Sequence, residues 1–115
     1  MGVESRGMKR RQLVYYLKLY DTETGQQIGN LVDITTKGCK IVSREPLPVG
    51  QAMNLRLDLP EGYFSRESVV LSGTTLWSRP DVNPDFHVTG FEVPHLGHEE
   101  RKLVRQLIDR TAFHD

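Results

Sequence analysis

Two short segments of this 115-residue chain carry side chains able to bind an anion. The first is Arg6-Gly7-Met8-Lys9-Arg10, with Arg11 directly after it. A guanidinium is a planar fork of donors that takes a phosphate bidentately or stacks on a purine face, so two of them four residues apart can grip one ligand at two points. The second is Asp33-Ile34-Thr35-Thr36-Lys37-Gly38. At period two, Asp33 and Thr35 fall on the same side of an extended segment. The carboxylate can accept from a base or guanidinium donor, the hydroxyl can donate to an acceptor, and Gly38 gives room for close backbone approach. Each segment also has a plainer reading, as a solvated basic tail and as an Asp-x-Thr-x-x-Gly turn.

Little else in the chain suggests chemistry. There is no Gly-x-Ser-x-Gly turn and no Gly-x-x-x-x-Gly-Lys phosphate loop. The lone cysteine, Cys39, cannot form an internal disulfide, and its alternation with Ile41 marks a buried structural thiol. His95 and His98 stand three apart, a weak metal spacing with no cysteine or second histidine pair to complete a zinc set. Asp81 and Asp85 share a loop with Asn83 and Pro84, but the twelve-residue calcium pattern is missing, so turn-forming side chains are the expectation. No catalytic residue, metal or cofactor is expected, and the chain does not read as an enzyme.

The elements that must position these residues are mostly strands. Residues 12 to 20 alternate, with Leu13, Tyr15, Leu17 and Leu19 on one face. A loop ending at Gly25 makes a hairpin to a second strand over about 27 to 35. Further strands are predicted at 39–43, at 53–59, at about 67–78 with Gly73 as a bulge or barrel corner, and at about 86–93. From residue 99 the period changes. Leu103, Val104, Leu107, Ile108 and Ala112 form a stripe at helical spacing, with Glu99 and Glu100 in the first turn, Arg110 near the end, and Arg105 and Asp109 as an i,i+4 pair. The expectation is mostly β: a closed or nearly closed six-stranded antiparallel barrel with one C-terminal amphipathic helix of about 14 residues. Residues 1–8 read as a flexible arm and 9–115 as a single domain.

Composition narrows the partners. Fifteen basic and fifteen acidic side chains cancel, so a whole-domain basic surface for tracking DNA is not expected. Tyr15, Tyr16, Tyr20, Trp77 and Phe91 could stack bases in an oligonucleotide-binding barrel, but alternation puts several of them in the core. No apolar run approaches the roughly 20 residues of a membrane-spanning helix. No apolar stretch follows the charged first residues, and the single cysteine fits a reducing, cytoplasmic setting.

Taken together and in this order, Arg6 and Arg10, then Asp33, Thr35 and Gly38, resemble the paired motifs of the PilZ domain family. The flanks are similar too: Val32-Asp33-Ile34 before Gly38-Cys39-Lys40-Ile41, then Leu76-Trp77-Ser78, then Thr89-Gly90-Phe91-Glu92-Val93. Thr35 stands where that family usually has serine, which keeps the hydroxyl and adds a methyl. The resemblance implies a six-stranded split-type barrel and a bacterial receptor for the second messenger cyclic di-GMP. It implies that Arg6 and Arg10, helped by Arg11, clamp phosphates and guanine faces. Asp33 and Thr35 would contact guanine edges beside Gly38, and Arg11 is an alternative to Arg10 as the second clamp. It further implies an arm that orders over the ligand and changes the surface offered to an unidentified effector protein, in motility or biofilm regulation, from a monomer or weak homodimer. The alternative is a barrel of the same kind that binds protein and no nucleotide.

Overall fold

The computed structural model describes residues 17–62 and 64–111. Its strands are β1 (Lys18–Asp21), β2 (Gln27–Thr35), β3 (Gly38–Ser43), β4 (Ala52–Asp58), β5 (Ser68–Pro80) and β6 (His87–Glu92), and its helix is α1 (His98–Thr111). The strands close into an antiparallel barrel in the order β1-β2-β3-β6-β5-β4. Closure removes the unpaired edges that would otherwise template aggregation. The predicted portion of the first strand before Leu17, and the proposed arm, lie outside the described residues.

Alternation explains the core where strands are regular. Leu55 and Leu57 on β4, Val69 and Leu71 on β5, and Leu19 on β1 are essentially inaccessible, while Lys18, Asn54 and Val70 between them are exposed. β5 is long because it serves two neighbours. Residues Ser68 to Thr74 pair with β4, and Thr74 to Pro80 pair with β6. Gly73 stands at that changeover, and a Cβ there would meet the Glu92 carbonyl oxygen. It is the predicted barrel corner; the bulge itself lies further on, between Thr75 and Trp77.

The helix follows its predicted stripe as far as Ile108; Ala112 lies outside the described residues. Leu103, Val104 and Leu107 are buried and pack with the barrel core, and α1 lies against β2 and β5. Full burial of a leucine such as Leu107 contributes about 1.5–3 kcal/mol. The Gly97 carbonyl accepts from the Arg101 amide at 2.9 Å, opening the helical ladder. The expected Arg105–Asp109 pair is not formed among the described residues. Glu100 instead reaches Arg66 on the β4–β5 connection at 3.5 Å, and the Arg110 guanidinium sits 5.8 Å from the Phe64 ring. In the β5–β6 loop it is the Asn83 side chain that caps the turn, accepting from the Asp85 amide at 3.0 Å, in place of the aspartates.

Candidate functional site

Asp33 reaches the surface because β2 is irregular. Gly29 and Leu31 point inward, and strict alternation would send Asp33 inward after them. The ladder to β3 instead pairs Leu31 with Ile41 and Asp33 with Lys40, leaving Val32 as an extra residue. That bulge inverts the phase, so Ile34 enters the core while Asp33 and Thr35 stand exposed on the outer face. The Asp33 carboxylate is fixed by its own strand, accepting from the Ile34 amide at 2.9 Å through Oδ1. Asp33 is exposed, so its second oxygen remains available as an acceptor.

Thr35 and Gly38 shape the turn into β3. The Thr35 hydroxyl accepts from the Lys37 amide at 3.1 Å and lies 3.5 Å from the Gly38 carbonyl, a long contact that its proton can exchange for a better acceptor. The Lys37 carbonyl accepts from the Val93 amide at 2.8 Å, which ties the turn to the end of β6. Gly38 has a use the sequence did not disclose. A Cβ there would lie 2.2 Å from the Phe91 carbonyl oxygen, so the missing side chain is what lets β3 approach β6.

Asp33, Thr35 and Gly38 thus line one groove of about 300 Å³, with Lys37, Lys40 and Trp77 among its other walls. Trp77 arrives there by the same device as Asp33. Leu76 is the extra residue on β5, and the phase inversion turns Trp77 out over Gly90, where a Cβ would lie 2.4 Å from the indole nitrogen. Arg79 covers the ring at 4.6 Å, a cation–π contact. Of the aromatics weighed as core or stacking residues, Phe91 is in the core, Trp77 is outside, and Tyr20 is partly exposed beneath Arg56 at 4.4 Å. Sequence reasoning did not place Lys40 and Trp77 in this groove: Lys40 appeared only as a strand neighbour, and Trp77 only as a possible base-stacking or core aromatic. The available signal was Gly90 in the strand opposite Trp77, since a glycine in mid-strand marks a close approach.

Cys39 lines this groove but is no nucleophile. Burial, aided by the Asp33 charge, pushes its thiol from 9.0 up to about 12. Arg6, Arg10 and Arg11 lie outside the described residues. Among those described, no group of three or more His, Cys, Asp and Glu is placed to hold a metal, and no helix is long and apolar enough to cross a membrane.

A closed six-stranded antiparallel barrel with one C-terminal helix, and an outward Asp-x-Thr-x-x-Gly turn beside an aromatic wall, define a small β-barrel module with an open groove on its outer face. The PilZ domain model matches residues 6–110, and the chain belongs to the PilZ domain family. Its fold is similar to that of the Bacillus subtilis inhibitor of motility (MotI/DgrA), with a TM-score of 0.67 and 17% sequence identity, over 82% of this chain and 45% of that one. This chain therefore corresponds to less than half the length of that protein. Among curated proteins, none matches the chain in sequence.

Proposed function

We propose that this PilZ domain is a cytoplasmic, non-catalytic receptor and adaptor for cyclic di-GMP. The observation that carries the reading is the bulge at Val32, which holds Asp33 outward in one groove with Thr35, Lys40 and Trp77. In this arrangement the free Asp33 oxygen accepts from the N–H groups on a guanine edge. Trp77, its ring held between Gly90 and Arg79, walls the groove, and Lys40 supplies positive charge beside it.

A groove of 300 Å³ is at the small end for a ligand site, so a cyclic dinucleotide needs a second wall. The segment before Leu17 can supply one. The Leu17 carbonyl accepts from the Leu31 amide at 2.8 Å, two residues from Asp33. Arg10 is seven residues from Leu17, a reach of at most about 25 Å even fully extended. That length lets the arginines reach the groove, and phosphate charge is what they complement. Ordering that segment over ligand would alter the surface presented to an effector protein. The similarity in fold to an inhibitor of motility makes motility the first process to examine.

The test is isothermal titration of cyclic di-GMP into the full chain, with cyclic di-AMP as control. We expect micromolar or tighter binding, selective for the guanine compound. Asp33→Ala should weaken it about tenfold or more, as for a lost charge-assisted hydrogen bond. Arg6→Ala and Arg10→Ala should do the same, and Arg11→Ala decides which arginine completes the clamp. Trp77 is the chain's one tryptophan, so its fluorescence gives an independent readout. No binding at millimolar ligand overturns the receptor reading and leaves a protein-binding barrel.

A further inference from the structure

The outer face of β2 and β3 carries a second cleft, nearer the opposite end of the barrel from Asp33. It measures about 660 Å³ and is walled by Ile28, Val42, Leu47 and Phe86, with Arg44 beside them. Val42 is buried, and Ile28 and Leu47 are partly so, which gives the cleft an apolar floor. The Arg44 guanidinium lies 5.5 Å from the Phe86 ring and has no carboxylate partner among the described residues. Glu45, the one acidic residue lining the cleft, is exposed.

The loop between β5 and β6 lies at the same end. It is ordered by its own hydrogen bonds: the Asp81 amide to the Phe86 carbonyl at 2.9 Å, the Phe86 amide to the Asn83 carbonyl at 3.0 Å, and the Asp85 amide to the Asn83 side chain at 3.0 Å. At its tip Val82 is 100% exposed between flanking residues that include Asp81 and Asp85. A valine on a loop already held in shape loses little chain entropy when something covers it.

The loop is an apolar knob with two carboxylates, and the cleft has an apolar floor, polar flanks at Gln27, Asn30 and Ser43, and a guanidinium with no carboxylate partner among the described residues. Phe86 closes the loop and also lines the cleft. Knob and hollow therefore share one patch of surface, the arrangement that a two-fold contact between identical chains requires. We propose that a second copy of this chain occupies the cleft. Val82 of each copy enters among Ile28, Leu47 and Phe86 of the other, and Asp85 faces Arg44 across the interface. The contact is small and belongs with transient interfaces of less than about 1,200 Å². The proposal is independent of nucleotide binding.

Sedimentation equilibrium of the full chain over a wide concentration range, without nucleotide, tests it. The wild type should self-associate reversibly to a dimer. Val82→Asp and Arg44→Asp should each raise the dissociation constant about tenfold or more. The double variant Arg44→Asp with Asp85→Arg should restore association, which a merely structural effect of Arg44 would not allow. All three positions are on exposed segments, and matching denaturation midpoints confirm that the variants fold. A monomer at every concentration overturns the proposal. So does a dimer indifferent to Val82→Asp.

Discussion

β2 and β5 stand at the two sides of the groove, and each carries one extra residue there, Val32 in one and Leu76 in the other. In both, the bulge turns the next side chain out of the barrel: Asp33 from β2 and Trp77 from β5. The inward sides differ. After its bulge β2 returns an apolar residue, Ile34, to the core. β5 returns Ser78, whose hydroxyl must be satisfied and accepts from the Thr89 hydroxyl at 3.0 Å. Thr75, just before that bulge, is also buried and polar. The β2 bulge exposes a binding group while the core stays apolar; the β5 bulge exposes an aromatic wall and leaves a polar layer inside.

The glycines beside the two bulged strands sharpen this contrast. The missing side chain of Gly38 faces backbone, the Phe91 carbonyl, which cannot yield without disturbing the β3–β6 ladder. That of Gly90 faces the Trp77 ring, which can swing away. Gly38→Ala should cost about 3 kcal/mol or more in chemical denaturation, and Gly90→Ala only about 1 kcal/mol. Gly90→Ala should also red-shift the tryptophan emission as the ring moves into water. Equal losses for the two would break the comparison.

The polar layer comes next. The Thr75 hydroxyl donates to the Pro48 carbonyl and accepts from the Gln51 amide at 3.0 Å, pinning the β3–β4 connection to β5. Thr75→Val keeps the shape and leaves both backbone groups without that partner. We expect a loss of about 1–3 kcal/mol in the same measurement. For Ser78 and Thr89 the useful experiment is a double-mutant cycle. Ser78→Ala alone should cost about 1 kcal/mol by stranding the Thr89 hydroxyl, whereas adding Thr89→Val should cost less than the sum, with a coupling of about 0.5–1.5 kcal/mol. Strict additivity would mean that the hydroxyl pair is incidental to the inward phase.

These differences explain what could be read from the sequence. β4 was legible because Leu55 and Leu57 keep strict period two. The helix was legible because Leu103, Val104 and Leu107 keep helical spacing. β2 was half legible. Its bounds were found and Asp33 and Thr35 were put on one side of it, but period two carried on from Leu31 would have buried Asp33. The apolar step of three from Leu31 to Ile34 marks an extra residue only once the phase is known, because Leu31 and Val32 are both apolar and Val32 to Ile34 keeps period two. Leu76 and Trp77, also both apolar, leave the same ambiguity on β5. Trp77 was accordingly grouped with possible core aromatics. The packing use of Gly38 was hidden because its neighbour, Phe91, comes from a strand more than fifty residues on. Local spacing carries no information about such a contact.

The effect silent at neutral pH concerns Cys39, where the exported Asp33 acts back on the core. The thiol is raised to about 12 mainly by burial and then by the Asp33 charge. A raised native value means that the folded chain keeps its proton where the unfolded chain, ionising near 9.0, loses it. The stability this contributes is whole below pH 9 and is lost as pH climbs towards 12. Denaturation midpoints of the wild type should therefore fall more steeply over that range than those of Cys39→Ala, once the two are matched at pH 7. Asp33→Asn removes the lesser cause, so it should narrow the window slightly from above. At pH 8 a thiol reagent should label the native protein no faster than the chain opens, because a buried neutral thiol is unreactive. Rapid native labelling would show that β3 does not seal beneath Asp33, and that the two bulged strands are less alike in rigidity than their shared geometry implies.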